Sequence, residues 1–188
     1  MNATTSSEFW DWSLIHYARD GVEPLLLQLQ DEFGLDANIL LWACWCATIY
    51  DVLPKALVHD AMVQTTPWAT KVTTPLRNAR RDLKSLMATH EIDSAAGLRT
   101  AIQQNELLAE KVEQEILEAL VAATLCPTDV KAGNIHPRAI ENLTTYASLA
   151  DNRGNAECTN TLLESLSRHI FADTPQEVCS KDGHGERR

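Results

Sequence analysis

Three stretches in the first third of the chain decide its fold: SEFWDWSLIHY (residues 7–17), LLLQLQDEFG (25–34) and NILLWACWC (38–46). Each has the spacing of a helix, and together they hold four of the five tryptophans, Trp10, Trp12, Trp42 and Trp45. Such side chains bury large areas, so the segment builds either the core or a ligand groove. Ser7 is placed to cap a first helix reaching toward Gly21, with Glu8 in its favourable first turn. A second helix covers Val22 to Phe33, with Val22, Leu25, Leu26, Leu29 and Phe33 as its apolar stripe and Gly34 as its stop. Asp36 caps a third that runs to about Tyr50. This third helix is apolar on nearly every side, as a central buried helix is.

Outward from that core the helical period persists, and no stretch alternates as a strand does. A short helix is expected from Pro54 to Gln64, and Thr66-Pro67 reads as the cap and first position of the next. Pro75 kinks or restarts that helix before it runs to about Ala88. A long helix follows from Asp93 or Ser94 to Leu125, closed by Cys126-Pro127, with two more near Pro137–Ala150 and Ala156–Phe171. The expected architecture is all-α: one compact domain of seven or eight helices over residues 7–172, around a central apolar helix. Residues 1–6 read as a flexible N-terminus and residues 173–188 as a disordered tail.

The chain has 188 residues, 45% hydrophobic and 22% charged, which suits one globular domain able to bury a core without staples. The net charge of −10 is unevenly spread. Residues 67–87 hold five basic side chains and one acidic, while the segments on either side are strongly acidic. An acidic chain repels the nucleic-acid backbone, so nucleic acid is disfavoured as a partner, the basic island excepted. The cysteines (Cys44, Cys46, Cys126, Cys158 and Cys179) are odd in number and irregular in spacing. The start of the chain does not read as a signal peptide, and the apolar run from Ala37 to Ile49 is too short to span a bilayer. These features lead to the expectation of a soluble cytoplasmic protein with reduced thiols and no membrane insertion.

Within the basic island, Arg77, Arg80, Arg81 and Lys84 share one arc of a helix, beside an apolar arc of Val72, Leu76, Ala79, Leu83 and Leu86. In the long helix, Glu106, Glu110 and Glu113 flank an apolar stripe with the same hand. Flanks of like hand meet when two helices pack antiparallel, so the leading reading is an internal salt-bridge seam. The rivals are an exposed dock for an acidic partner and a small-anion site.

A second candidate site is a pocket of Trp12, His16, Trp42 and Trp45, although a lone histidine is commonly a hydrogen-bonded core residue. Cys44 and Cys46 point about 200° apart on a helix and cannot chelate together. Gln30, Asp31, Asp36 and Asn38 surround the Gly34 turn, where they line a polar pocket or, as the commoner role, cap helices. The sequence has no paired Glu-x-x-His, no phosphate-binding glycine loop, no Gly-x-Ser-x-Gly and no His-Glu-x-x-His. No catalytic residue, cofactor or metal site is therefore expected.

The elements Phe9-Trp10-x-Trp12-Ser13-Leu14, Tyr17, Gly21-Val22, Leu29-Gln30-Asp31, Gly34-x-Asp36-x-Asn38, Leu40-Leu41 and Trp45 occur in an order that resembles a small proteobacterial family. It is the family of conserved hypothetical proteins catalogued as domain of unknown function 2390. Pro67-Trp68, Pro75-Leu76-Arg77 and Arg80-Arg81-x-Leu83-Lys84 extend the resemblance, which covers roughly Phe9 to Val121. It implies a cytoplasmic bacterial protein and transfers no catalytic residue. The functional expectation is a non-enzymatic interaction, adaptor or regulatory protein whose partner is another protein. The alternatives are a small-ligand binder or enzyme using the aromatic pocket, and a nucleic-acid-associated factor using the basic stripe.

Overall fold

A computed structural model describes residues 7–90, 93–150 and 156–172. The expected flexible N-terminus and disordered tail lie outside the described residues. Eight α-helices follow in chain order: α1 (Glu8–Tyr17), α2 (Val22–Phe33), α3 (Ala37–Ile49), α4 (Lys55–Trp68), α5 (Thr74–His90), α6 (Ala96–Thr124), α7 (Ile135–Leu149) and α8 (Ala156–Ile170). Among the described residues there is no strand, and no helix is long and apolar enough to cross a membrane.

Helix α3 is the centre. Ten of its residues, Asn38 through Ala47, are buried, and α1, α2, α6 and α7 pack around it. Phe9 stacks on Trp45 at 5.2 Å between ring centroids, and Tyr50 meets the same indole edge-on at 6.1 Å. Buried polar groups tie the neighbours to α3. Asn142 of α7 accepts from the Leu53 N–H and donates to the Ala43 carbonyl, so both ends of its amide are engaged. The Tyr146 hydroxyl accepts from the Asp36 N–H.

The helix ends follow the local chemistry. Gly34 sits at φ 74°, where a side chain would be strained, and its N–H and that of Leu35 close back onto Gln30 and Leu29. Asp36 accepts from the N–H groups of Asn38 and Ile39. Helix α1 stops at Tyr17, short of the expected Gly21, because the chain must turn there against α8. Gly21 takes φ 83°, and a Cβ on it would lie 2.5 Å from the His169 ring.

The expected break at Thr66-Pro67 is absent. Helix α4 runs through Pro67 and into a π-helical turn, Ala69–Thr73, which passes directly into α5. Pro67 deprives only the Val63 carbonyl of a partner, and Val63 is exposed to water. The wide turn lets the Thr74 N–H reach back to the Ala69 carbonyl, five residues away. It thus opens the ladder just ahead of Pro75, whose ring would meet an α-helical carbonyl at Lys71. A π-turn adds one residue to the helix, which rotates everything downstream by about 100°.

Replacing Trp45 with Ala removes a buried indole that Phe9 stacks on and Tyr50 meets edge-on. Urea denaturation should show a loss of roughly 3–5 kcal/mol, and an unchanged midpoint would mean the side chain is not structural.

Candidate functional site

Rotated by the π-turn, α5 presents its arginines to α6 and α2. Arg77 points Nε at Glu106 (3.1 Å), Nη2 at Glu110 (2.8 Å) and Nη1 at Gln30 (2.8 Å). Arg80 directs Nε and Nη2 at the two oxygens of Glu106, at 2.5 and 3.1 Å. The pairings 80 with 106 and 77 with 110 run in opposite senses, so α5 and α6 are antiparallel. Glu106 is 6% exposed and Arg77 18%, which makes this a largely desolvated cluster rather than a surface decoration. Burial would raise the Glu106 carboxyl, but the guanidiniums of Arg80 and Arg77 outweigh it and hold it below the usual range. At Glu110 burial prevails over its single arginine, and the pKa is raised.

The seam takes only part of the charge that faces it. Arg81 meets Asp31 at 3.4 Å with both side chains about half exposed, and Lys84 is exposed without an ion pair among the described residues. Glu113 finds no arginine among the described residues. Its level on α6 is opposite the π-turn, where Thr73 donates to it at 3.5 Å. The residue is fully buried, and among the described residues its Oε1 meets no hydrogen-bond partner. Burial, then the nearby Asp36 carboxylate, push its pKa well above the usual carboxylate range, which favours the protonated carboxyl.

Above the seam, α1, α2, α5 and α6 surround a cleft of about 340 Å³ whose base includes Ala37, Asn38 and Leu41 of α3. Its inner wall is a polar chain: Ser13 donates to Gln114, and Gln114 donates to Asn38. Its rim is apolar. Leu14, Leu27 and Leu107 are 49%, 40% and 46% exposed, with Trp10 half-buried beside them. Tyr17 and Glu23 lie at one end of the α2 wall. Burial, with Glu23 and Glu110 beside it, pushes the Tyr17 phenol up to about 12, so it stays a donor at neutral pH. Arg77, Arg80 and Arg81 line the cleft as well.

The residues expected to form an aromatic pocket go elsewhere. Trp42 and Trp45 are enclosed in the core. Trp12 stacks on His16 at 3.8 Å on the side of α1 that faces Phe171. The His16 Nδ1–H donates to the Trp12 carbonyl at 2.7 Å, and burial lowers its pKa, which leaves it neutral and locally engaged. None of the four lines the cleft. The Gly34 turn serves two purposes: Asp36 caps α3, while Gln30 and Asp31 receive Arg77 and Arg81. Among the described residues no group of three His, Cys, Asp or Glu side chains is arranged to hold a metal ion.

The cleft takes Trp10 from the tryptophan-rich segment, and also Leu14, Tyr17, Leu27, Leu107 and Gln114, which the sequence does not mark as site residues. One signal was available: Leu27 and Leu107 are large apolar residues lying off the core stripes of their helices.

A family profile described as protein of unknown function (DUF2390) matches residues 8–117. That span includes α1 to α5 and most of α6, hence every residue that lines the cleft. No curated protein and no solved structure matches the chain.

Two measurements check the electrostatics. Glu106→Ala takes the carboxylate from Arg80, leaves Arg77 to Glu110 and Gln30, and should lower stability by about 3 kcal/mol, and adding Arg80→Leu should recover part of that loss. For Glu113 the folded pKa lies above the unfolded one, so the stability it contributes is present below about pH 4.5 and is lost as the pH rises toward 9. Glu113→Gln, which cannot ionise, should gain on the wild type through that window, by up to about 1.4 kcal/mol per pH unit. Parallel pH profiles of the two proteins would show that Glu113 is ionised in the fold.

Proposed function

The chain belongs to the DUF2390 family of proteins of unknown function, and from the cleft itself we propose that it is a non-enzymatic interaction protein. Its site is the cleft between α1, α2, α5 and α6, and it receives a short segment of another protein. The observation that carries the reading is the pairing of rim and floor. Three exposed leucines and Trp10 surround a polar floor whose side chains already satisfy one another. Such a site offers apolar area for burial and a rigid base, the makings of a small interface core. It offers no group poised for chemistry. The one histidine of α1 faces away, and the two fully buried cysteines have thiols that burial pushes far up and keeps unreactive.

We place this activity in the cytoplasm of a proteobacterium, as the family resemblance implies. The four described cysteines are free thiols, which supports a reducing compartment. An adaptor or regulatory role follows from a binding site without a reaction.

The test is a cleft-blocked variant. Leu27→Lys with Leu107→Lys changes only exposed side chains and should leave the melting temperature close to wild type. Proteins of the native host retained by the wild-type chain, and quantified by mass spectrometry, should be lost from the variant. An identical retained set would reject the cleft as the interaction site.

A further inference from the structure

We propose that the segment received by the cleft is acidic and amphipathic: one or two large apolar side chains followed closely by a carboxylate. The proposal rests on the interaction reading above and assigns its chemistry. The argument begins with which charges in the cleft are already matched. Arg77 and Arg80 are held by Glu106 and Glu110 and face inward. Arg81 is not held in the same way: the one carboxylate it meets among the described residues is Asp31 at 3.4 Å, with side chains 46% and 51% exposed. An exposed pair of that length contributes little, so Arg81 can exchange Asp31 for a better partner at small cost. Lys84 lies one turn further along the same face of α5, exposed and without an ion pair among the described residues. The α5 end of the cleft is therefore cationic, on a chain whose net charge is −10.

The opposite end has the opposite sign. Glu23 and Asp31 stand on α2 eight residues apart, about 12 Å at 1.5 Å per residue, with Leu27 midway between them. The α2 wall thus reads acid, leucine, then the arginine that Asp31 holds. A partner carboxylate is repelled at Glu23 and attracted at Arg81 and Lys84, which fixes the direction in which the segment lies. From the middle of the wall to either end is about 6 Å, or two residues of extended chain. An apolar side chain seated against Leu27 and Leu107 therefore puts a carboxylate one to three residues away within reach of Arg81. Apolar burial supplies the affinity, and the charged end supplies direction and encounter rate.

The probe is a phage library of random dodecapeptides selected on the full chain. Enriched peptides are synthesised and titrated by fluorescence anisotropy against the wild type, Arg81→Glu/Lys84→Glu and Leu27→Lys/Leu107→Lys. All four positions are exposed or half-exposed, and melting curves confirm that each variant folds. The expected result is enrichment of Asp or Glu within three residues of Leu, Ile, Phe or Trp. Binding should weaken about tenfold in Arg81→Glu/Lys84→Glu and also in salt of about 0.5 M, and should be lost in the leucine variant. Enriched peptides that are neutral or basic, or whose affinity ignores the Arg81/Lys84 change, overturn the acidic assignment. If those peptides still depend on Leu27 and Leu107, the interaction cleft itself stands. Peptide binding that is indifferent to the leucines, or no enrichment at all, removes both.

Discussion

Helix α3 has no face to give to water, and the rest of the molecule is arranged around that constraint. A rod buried from Asn38 to Ala47 needs neighbours on every side, and α1, α2, α6 and α7 supply them. Polar groups drawn into that environment need partners there, since an unmatched buried amide costs about 1–3 kcal/mol, and among the described residues the Trp42 indole N–H goes without one. Asn142 meets this demand against α3 and the loop after it, and Gln114 meets it between Ser13 and Asn38. These amides do more than fill hydrogen bonds. They fix the axial positions of α7 and α6, which sliding apolar surfaces alone leave loose.

The arginine–glutamate seam solves a second problem, which α3 does not reach. Helix α5 has no buried residue, so little apolar area holds it to α6 at that level. Arg77 and Arg80, converging on Glu106, fasten it with charge-assisted hydrogen bonds in a partly dry setting. Because two arginines suffice, Arg81 and Lys84 are left facing outward. The division between structural and available cations is a matter of position along one helix, not of residue type.

Much of this is legible in the residues. The ends of α2 and the start of α3 are set by Gly34 and Asp36 acting locally, through a left-handed φ and a side-chain cap, so sequence order alone places them. The all-α architecture and the antiparallel register of α5 on α6 follow from periodicity and from charge flanks of matching hand. The passage from α4 to α5 is not legible. Proline rules favour a break at Pro67, whereas the chain carries Pro67 inside α4 and opens a π-turn ahead of Pro75, a geometry that depends on neighbouring helices rather than on local preference. The cleft is hidden for a related reason. Trp10 and Trp12 look alike in sequence, but two positions along a helix separate them by about 200°, enough to send one to the cleft and the other toward Phe171. Glu113 reads as a third seam carboxylate and becomes a buried core residue with a raised pKa, because the residue facing it is set by the π-turn.

That turn makes length, not composition, the critical quantity between Trp68 and Arg77. An α-helix tolerates many substitutions, but its faces are counted out residue by residue. The segment Ala69–Thr73 works like a frameshift held within a helix: one more or one fewer residue leaves a helix behind, yet deals every later side chain to the wrong face. Arg77 would leave Glu110, and the cleft would lose its cationic end, with every charged residue still in the chain. Chains of this architecture can therefore vary the letters in this stretch far more freely than their number.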